Sequence, residues 1–559
     1  GSAARNILTG SSVVASHHPH AVGVALAARL RGEDRATIAY FGDGAASKGD
    51  FHEALNVAGI HRLPAVFICE NNGYAISVPL AKESAVTDVA QHAHSYGFGR
   101  VIVDGNDPLD VYAAVRSALH HARRGEGPTL VECKTYRYLA HTSDDDDRSY
   151  RTLAEIEGWR KKDPLLRMKQ YLIEQRLLSE QQEEAIEAEV REEVDTATKR
   201  AEAAAAPAPE TAFAKVFAAP IRRDRAATVA PTGGTERNVI ETVRETLRSL
   251  LVEDERVVVL GEDVGPRGGV FRATDGLCAE FGEGRILDTP LAESSIIGVA
   301  IGLALAGMRP IAEIQFADFI HSAFDQIVSE AAKIHYRSNG DFSVPLVIRA
   351  PWGGGVHGAL YHSQSIEAFY AHVAGLKVVA PSTPADVAGL LRTALEDPDP
   401  VLFLEHKRTY RLVKGLVPDG EWRVPIGVAD VVRPGDDLTI VTYGLHRHLA
   451  VEAADALADE YAVEVVDLRT ISPLDRETVL ASVTKTGRLL VVHEDNISFG
   501  VGAEVAAIVA EEAFYDLDAP VRRLAMADVP AMPFAAALEQ ALSIGATQIA
   551  DAARSLLEA

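Results

Sequence analysis

Cysteine is scarce in this sequence, and long apolar runs are absent. Only three of the 559 residues are cysteine, and no Cys-x-x-Cys pair occurs, so no disulfide framework is possible and a reducing compartment is indicated. The longest apolar stretch, around residues 296–308, is too short to cross a bilayer and predicts a buried helix. No basic region followed by an apolar core marks a signal peptide. We therefore expect a cytoplasmic protein with no membrane role.

Cations are also in short supply. The chain has 55 Lys and Arg against 80 Asp and Glu, a formal net charge of −25. A field of that sign repels phosphate backbones, which argues against nucleic-acid binding. A small anionic substrate would need help from helix N-termini, a metal or a few placed cations. The composition, 47% hydrophobic and 24% charged, is that of a globular protein.

Short apolar runs alternate with helical patterns along the chain. Residues 36–41 and 65–69 are continuous apolar runs, and residues 50–59 between them have helical spacing. Strands that are apolar throughout indicate a parallel sheet covered on both faces. The same rhythm recurs in the later parts of the chain. We therefore predict an α/β protein built from doubly wound sheets.

Changes in composition divide the chain into four segments. Residues 218–235 are rich in Ala, Pro, Thr, Gly and Arg and show no periodicity, which is typical of a linker. The predicted limits are 1–205 for the first domain, 206–235 for the linker, 236–416 for the second domain and 430–559 for the third.

Two polar turns follow predicted strands in the first domain. Gly42-Asp43-Gly44 comes after one apolar run, and Asn71-Asn72-Gly73-Tyr74 comes after the next. In doubly wound folds ligands bind beyond the carboxyl ends of the strands, so Asp43 and Asn72 could converge there. Their oxygens are hard ligands that suit Mg²⁺ shared with a diphosphate. The alternative for either motif alone is an ordinary glycine turn.

Other candidate residues have an ordinary structural interpretation beside the functional one. Glu293 precedes the long apolar helix, where a carboxylate is usually a cap. The loop 352–365 contains four glycines with His357 and His362, and a lone histidine is more often structural. His141 opens a run with four consecutive aspartates, which is normally a solvated loop.

A histidine-rich segment lies near the beginning of the chain. His17, His18 and His20 could form a metal cluster. Adjacent histidines point in different directions, however, and Pro19 fixes the turn between them, so metal binding is the minor alternative.

Several of these motifs together resemble a known family. GDGAASKGDFHEALN and ENNGYAIS look like the thiamine diphosphate motif in the α chain of 2-oxo acid dehydrogenases, the decarboxylating component. The likeness continues through GPTLVECKTYRY and HTSDDDDRSYR, and after the linker through β-chain-like stretches: VVVLGEDVG, ILDTPLAESSIIGVAIG, APWGGGVHGALYHSQSIEAFYAH and VVDLRTISPLD. QFADFI and YHSQSIEAF are similar to the branched-chain enzyme rather than the pyruvate enzyme. The chain thus resembles an α–β fusion.

The resemblance implies a fold and a set of site residues. The fold is the thiamine-diphosphate-binding one, with two doubly wound parallel-sheet domains and a transketolase-C-terminal-like α/β domain. Asp43 and Asn72 would bind Mg²⁺ through their side chains, and Tyr74 through its carbonyl. Glu293 would hydrogen-bond the aminopyrimidine, and His362 and His141 would be catalytic. The other implied cofactor contacts are Gly42, Gly44, Ser12, Val14, Leu291, Phe319 and Arg137.

The resemblance also implies an activity and partners. The expected reaction is oxidative decarboxylation of a branched-chain 2-oxo acid, with the acyl group passing to a lipoyl group on a dihydrolipoyl acyltransferase core. The cofactor would lie between the blocks that carry Asp43 and Glu293, so we expect a homodimer of the fused chain. The family also has a monovalent-cation (K⁺) site in segment 11–23, from whose pattern this chain departs. Thr142 and Ser143 occupy a region that is phosphorylated in some relatives.

Three alternatives stay open at the level of the sequence. A transketolase-like enzyme would share the domain order, and a pyruvate or acetoin dehydrogenase would share nearly all the motifs. The third is a truncated, non-catalytic assembly module. The family's α chain carries a longer segment before the position of Ser11, with a Tyr-Arg pair that holds the diphosphate. We expect weaker diphosphate binding where that Arg clamp is missing.

Overall fold

The computed structural model describes residues 1–218 and 233–559. Residues 219–232 of the predicted linker lie outside these ranges. The described chain forms two compact units. The smaller unit is Ser11–Ala214, and the larger unit combines Gly1–Gly10 with Lys215–Ala559. In the larger unit, the backbone N–H of Ala3 donates to Asp341 Oδ2 at 2.7 Å.

The smaller unit is built on a four-stranded parallel sheet of order β1-β2-β6-β5. Its strands are Thr37–Gly42 (β1), Ala65–Asn71 (β2), Tyr74–Ala75 (β3), Val78–Pro79 (β4), Gly99–Asp104 (β5) and Thr129–Lys134 (β6). Its helices are His17–Leu30 (α1), Gly49–Ile60 (α2), Leu80–Glu83 (α3), His92–Ser95 (α4), Pro108–Arg123 (α5), Leu153–Arg160 (α6), Pro164–Glu174 (α7) and Glu180–Glu202 (α8).

Burial explains the apolar run of β2 and the apolar residues of β6. Val66 and Ile68 of β2 and Val131 of β6 are buried in one hydrophobic cluster. Ala118 of α5 packs on the same cluster, so the sheet is covered there by a helix. Helix α5 begins where the Asp107 side chain accepts the N–H groups of its first turn. The parallel sheet predicted for this part of the chain is confirmed.

The larger unit contains fourteen strands among its described residues. They are Thr235–Asn238 (β7), Val257–Gly261 (β8), Ile286–Asp288 (β9), Arg309–Glu313 (β10), Val347–Trp352 (β11), Lys377–Val379 (β12), Val401–His406 (β13), Lys414–Val417 (β14), Asp430–Arg433 (β15), Leu438–Thr442 (β16), Val463–Asp467 (β17), Thr470–Ser472 (β18), Leu489–Asn496 (β19) and Arg522–Met526 (β20).

Helices cover the sheets that these strands form. They are Val239–Glu253 (α9), Leu277–Phe281 (α10), Glu293–Leu305 (α11), Ile334–Arg337 (α12), Glu367–Ala371 (α13), Pro384–Glu396 (α14), Thr409–Leu412 (α15), Leu445–Ala456 (α16), Arg476–Thr486 (α17), Val501–Glu512 (α18), Ala536–Leu542 (α19) and Ala546–Leu557 (α20). Helix α11 carries the long apolar stretch and is buried from Ser295 to Ala304, as predicted. In residues 1–218 and 233–559, no helix is long and apolar enough to span a membrane.

Two large sheets organise the larger unit. The first has seven strands in the order β18-β12-β13-β11-β10-β8-β9, all parallel except β18. The second has five strands in the order β15-β17-β16-β19-β20, with only β15 antiparallel. The predicted α/β fold with doubly wound sheets is confirmed.

The apolar pattern marks two elements of the larger unit poorly. Strand β15 has little apolar character, because only Val431 and Val432 supply it at a sheet edge. Helix α16 begins at Leu445. Its first turn contains the polar residues His446, Arg447 and His448, which interrupt the apolar spacing that is typical of a helix.

A buried ion-pair cluster joins three strands of the seven-stranded sheet. Arg349 of β11 is 1% exposed and donates to Glu405 of β13 at 2.7 and 2.8 Å and to Glu313 of β10 at 2.6 Å. The Tyr410 hydroxyl donates to the second Glu405 oxygen at 2.7 Å. One guanidinium therefore compensates two buried carboxylates.

Replacing Arg349 with Met should leave Glu313 and Glu405 buried without compensation. We expect the free energy of unfolding of the larger unit to fall by about 3–5 kcal/mol. The measurement is urea denaturation followed by tryptophan fluorescence. The matched control is Arg423→Met, which breaks the exposed Arg423–Glu396 pair and should change stability by at most about 1 kcal/mol. Equal, small effects for both variants would contradict this role of Arg349.

Candidate functional site

The predicted magnesium ligands of the smaller unit meet at one sheet edge. Strands β1 and β2 are parallel neighbours, with Gly42 opposite Glu70, so the turns that follow them lie side by side. Asp43 is 1% exposed, and its Oδ1 accepts the backbone N–H of Asn72 at 3.3 Å. Its Oδ2 is buried and has no hydrogen-bond partner within the described chain. Burial raises the pKa of this carboxyl.

These residues fit a hard divalent cation. The orphaned Asp43 oxygen is a carboxylate ligand that no protein donor satisfies. Asn72 Oδ1 accepts the backbone N–H of Tyr74 at 3.1 Å, which fixes the turn. A carboxylate, an amide oxygen and a backbone carbonyl are the donor types that Mg²⁺ takes. Gly44 lets the turn approach β3, because a Cβ there would lie 2.8 Å from the Ala75 Cβ.

Arg137 connects this edge to the loop of His141. Its guanidinium lies 3.5 Å from the Tyr74 carbonyl oxygen and donates to the Ile76 carbonyl at 2.5 Å and to the Tyr150 hydroxyl at 3.1 Å. That hydroxyl donates to Asp145 Oδ2 at 2.6 Å, and the same oxygen accepts the backbone N–H of His141 at 2.9 Å. Arg137 and His141, both implied by the resemblance, therefore belong to one hydrogen-bonded chain.

The aspartate run 144–147 is partly solvated and partly held by other residues. Asp147 accepts the Arg151 guanidinium at 2.6 Å, and Arg151 is 5% exposed. This buried guanidinium needs a carboxylate partner, which Asp147 supplies. Asp145 is bound as described above. Asp144, Asp146, Thr142 and Ser143 are exposed.

Three glutamates of the smaller unit were missed by sequence reasoning. Glu132, fully buried in β6, accepts Asn71 Nδ2 at 2.7 Å and thereby supports the turn before Asn72. Glu155 accepts the Tyr74 hydroxyl at 3.0 Å. The pKa of Glu83 is raised, mainly by burial and to a smaller extent by the nearby charge of Asp43. Glu132 could have been selected from the sequence, because it is a glutamate within an apolar strand. No sequence pattern distinguishes Glu155 or Glu83 from ordinary surface glutamates.

The first turn and helix of the smaller unit hold the remaining predicted residues. Ser12 and Val14 are exposed in the turn before α1. His18 is buried, which lowers its pKa to about 3, and its Nδ1 lies 2.9 Å from the Ala15 carbonyl oxygen. His17 Nε2 lies 2.8 Å from the Tyr40 carbonyl oxygen. Across the two described ranges, no group of three or more His, Cys, Asp and Glu is arranged to hold a metal.

A carboxyl pair lies at the carboxyl edge of the seven-stranded sheet. Glu293 is the first residue of α11, and Glu262 follows β8. Burial, then the nearby charges of Glu293 and Asp263, raise the pKa of Glu262 to about 7. Glu262 Oε1 is buried without a partner among the residues described. Leu291, in the turn before α11, is 81% exposed.

His362 stands among aromatic side chains in the larger unit. Its ring centroid lies 4.5 Å from that of Phe316 and 5.4 Å from that of Phe319, both nearly perpendicular. Asp318 Oδ1 accepts the backbone N–H groups of Ser363 and Gln364, each at 3.1 Å, and so fixes the chain just after His362. The structure thus brings together Phe319 and His362, two residues that the resemblance selects.

The C-terminal part of the larger unit holds the glycine loop before His362. Glu494 of β19 accepts the N–H of Gly354 at 2.5 Å. Glu539 of α19 accepts the N–H of Gly355 at 3.1 Å, and its other oxygen lies 2.7 Å from His357 Nδ1. This contact is compatible with the structural interpretation of His357, which stays a prediction. Asp318, Glu494 and Glu539 were not selected by sequence reasoning, since their loop partners are distant in the chain.

The raised pKa of Glu262 predicts a pH-dependent stability. A pKa of about 7 against an ordinary value of 4.5 means that folding favours the protonated form. This contribution is complete below pH 4.5 and is lost as the pH rises through about 7. Glu262→Gln should therefore flatten the fall in melting temperature between pH 5 and 8. Glu283→Gln, at an exposed position, is the control. A profile unchanged by Glu262→Gln would refute the assignment.

Comparison with known proteins assigns the three parts of the chain. Residues 1–210 match the family described as dehydrogenase E1 component. Residues 236–413 match the transketolase pyrimidine binding domain, and residues 427–549 match the transketolase C-terminal domain.

Curated relatives each match more than half of this chain and about nine tenths or more of their own length. The 2-oxoisovalerate dehydrogenase subunit beta of Bacillus subtilis is 56% identical over 320 residues, which is 57% of this chain and 98% of that protein. The pyruvate dehydrogenase E1 component subunit beta of the same organism is 47% identical over 324 residues, 58% of this chain and 99% of that protein. The 2-oxoisovalerate dehydrogenase subunit beta of Pseudomonas aeruginosa is 45% identical over 312 residues, 53% and 89% respectively.

Among solved structures, a split gene transketolase described as an inactive beta4 tetramer aligns with 58% of this chain and 99% of its own. The TM-score is 0.48 and the identity 27%. The sequence matches are the stronger finding, because they cover both halves of the chain. The chain belongs to the E1 component family of 2-oxo acid dehydrogenases, with an α-chain-like part and a β-chain-like part fused in one polypeptide.

Proposed function

We propose that this chain decarboxylates a branched-chain 2-oxo acid oxidatively, with thiamine diphosphate and Mg²⁺ as cofactors. The branched-chain preference is supported by 56% identity to a relative named 2-oxoisovalerate dehydrogenase subunit beta, against 47% to one named for pyruvate. A second relative named for 2-oxoisovalerate, from Pseudomonas aeruginosa, is 45% identical, slightly less than the 47% of the relative named for pyruvate. Identity alone therefore leaves the pyruvate branch as the second candidate.

The observation that carries the cofactor proposal is the orphaned Asp43 oxygen. A buried carboxylate oxygen without a donor is costly unless a ligand satisfies it. Asp43, Asn72 and the Tyr74 carbonyl would hold Mg²⁺, which in turn would hold the diphosphate. Gly42 and Gly44 give the backbone close access to it. Thiamine diphosphate, when bound, supplies the electron sink that decarboxylation of a 2-oxo acid needs.

The larger unit would supply the groups that orient the cofactor and handle protons. The Glu293 carboxyl would hydrogen-bond the aminopyrimidine, with Leu291 and Phe319 packing beside the ring. The neighbouring Glu262 carboxyl, with its pKa near 7, would carry only part of a negative charge at neutral pH. His362 would hold or move a proton at its imidazole, in the orientation that Phe316 and the Asp318-bound chain give it. His141 would be the second proton-handling histidine.

The same proposal extends to partners. The acyl group would pass to a lipoyl group on a dihydrolipoyl acyltransferase core, as in the family. We propose that the fused chain acts as a homodimer, which sedimentation analysis measures directly. We also propose a K⁺ site near segment 11–23.

Asp43→Ala should abolish Mg²⁺-dependent binding of thiamine diphosphate, because it removes the metal's carboxylate ligand. Titration calorimetry with and without Mg²⁺ measures this. The control is Asp195→Ala, an exposed aspartate on α8, which should bind as the unaltered chain does. Unchanged binding by Asp43→Ala would refute the metal assignment. Absence of binding by the unaltered chain would favour the non-catalytic assembly module.

The substrate proposal predicts a higher kcat/KM for 3-methyl-2-oxobutanoate than for pyruvate, measured with an artificial electron acceptor.

Glu293→Gln should still bind the cofactor and lose turnover by about 10²-fold or more, since it removes a proton-transfer group. Glu283→Gln is the exposed control. Preference for pyruvate would select the second candidate, and full turnover by Glu293→Gln would rule out the proposed role of Glu293.

A further inference from the structure

The carboxyl edge of the seven-stranded sheet is rich in acidic groups. Glu262 and Asp263 follow β8, Glu293 begins α11 beside Glu262, and Asp318 follows β10. A 2-oxo acid is an anion, so these carboxylates repel it. Recognition of such a substrate at this edge requires a compensating positive charge.

Lys407 provides a buried cation at the same edge. It directly follows β13, which is the parallel neighbour of β11, itself the neighbour of β10. Lys407 is 4% exposed, and its Nζ has no hydrogen-bond partner anywhere in residues 1–218 or 233–559. An ammonium buried without a hydrogen-bond partner is unfavourable for stability, so its presence points to a functional use.

The Lys407 ammonium and the His362 ring both lie near the Phe316 ring. Its Nζ lies 5.8 Å from the centroid of the Phe316 ring, and that ring lies 4.5 Å from the ring of His362. Phe316 and His362 are both partly exposed. Lys407 therefore lies beneath the partly exposed aromatic surface formed by Phe316, Phe319 and His362, where the dielectric is low and its charge acts over a longer range.

We propose that the buried Lys407 ammonium is a specificity-determining group, which selects an anionic 2-oxo acid at the Phe316–Phe319–His362 surface. This proposal rests on the proposed function and deepens it by naming the group that favours the substrate carboxylate. Lys407 acts through its field rather than by contact, because its side chain is buried whereas Phe316, Phe319 and His362 are partly exposed.

The charge state of Lys407 is set by the groups that face it. Burial lowers its pKa to about 8, while Asp318 after β10 and Glu494 of β19 raise it. The ammonium is therefore charged at neutral pH and is lost as the pH rises past about 8. The preference of the unaltered protein for an anionic ligand should fall over the same range.

The neighbouring Arg408 is the rival cation. It is exposed, and its Cδ would lie 2.9 Å from a Cβ built on Gly355, so it lies beside the loop that leads to His362. A direct contact from Arg408 to the substrate carboxylate would give the same preference without Lys407. Variants of the two residues separate these possibilities.

The experiment compares two ligands that share the 2-methylpropanoyl group, using the whole chain loaded with thiamine diphosphate and Mg²⁺. One is 3-methyl-2-oxobutanoate, and the other is 2-methylpropanal, a competitive ligand without the carboxylate. Lys407→Met keeps the side-chain volume and removes the charge. We expect its KM for the acid to rise about tenfold or more, with the inhibition constant of the aldehyde changed less than about twofold.

The controls and a second measurement keep the outcome decisive. Lys414→Met removes an exposed cation from β14 and should change neither constant. In the unaltered protein, the ratio of the acid KM to the aldehyde inhibition constant should rise above about pH 8, a readout that needs no variant.

Three results would overturn the proposal for Lys407. Lys407→Met could weaken both ligands equally, or it could weaken neither. Alternatively, Arg408→Met instead of Lys407→Met could weaken the acid selectively. Those results would leave the proposed function intact, provided that the unaltered protein decarboxylates the acid. Absence of turnover with every 2-oxo acid would overturn the proposed function and the role of Lys407 together.

Discussion

The ion pairs of Arg349 with Glu313 and Glu405 tie together the three central strands from which the larger unit's candidate site extends. Each residue lies in a different strand, and Arg349 and Glu405 form a bidentate pair in the interior. Such a cluster tolerates little movement, because a displaced partner leaves an uncompensated buried charge. The chain segments that continue from β10, β11 and β13 carry Phe316, the loop with His362, and Lys407. Their mutual placement therefore depends on this fixed base.

A second constraint reaches the same segments from the five-stranded sheet. Glu494 of β19 accepts hydrogen bonds from Gly354 and from His406 Nε2 at 3.0 Å, and the nearby histidine charge helps to hold its pKa low against the effect of burial. Gly353 is required by this packing, since a Cβ there would lie 2.4 Å from His406 Nε2 and its φ is +84°. The last sheet is therefore a structural support of the His362 loop.

The sequence predicts the buried architecture better than the site. Continuous apolar runs such as residues 65–69 identify the central parallel strands, because burial on both faces leaves no alternation to misread. The edge strand β15 has only two apolar residues and escapes that signal. In the candidate site, strand context selects Asp43 and Asn72, whereas the roles proposed for Glu293 and His362 come only from the family resemblance.

The residues that sequence reasoning misses share one physical property. Glu262, Asp318 and Lys407 derive their character from burial and from neighbours that are distant in the chain, so no local pattern distinguishes them from ordinary charged residues. Only the folded chain shows that Lys407 Nζ is unsatisfied, or that Glu262 lies near a second carboxyl.

The two units show the same principle with opposite signs. In the smaller unit one orphaned group is an anion, the Asp43 carboxylate, and it fits a cation. In the larger unit one orphaned group is a cation, the Lys407 ammonium, at an edge that also holds carboxyl groups such as Glu262. A fold retains a buried charge without a protein partner only where another interaction compensates its desolvation. For Asp43 and Lys407, the two proposals take the sign of the unpaired charge as the guide to the sign of the ligand, information that hydrophobic patterning does not contain.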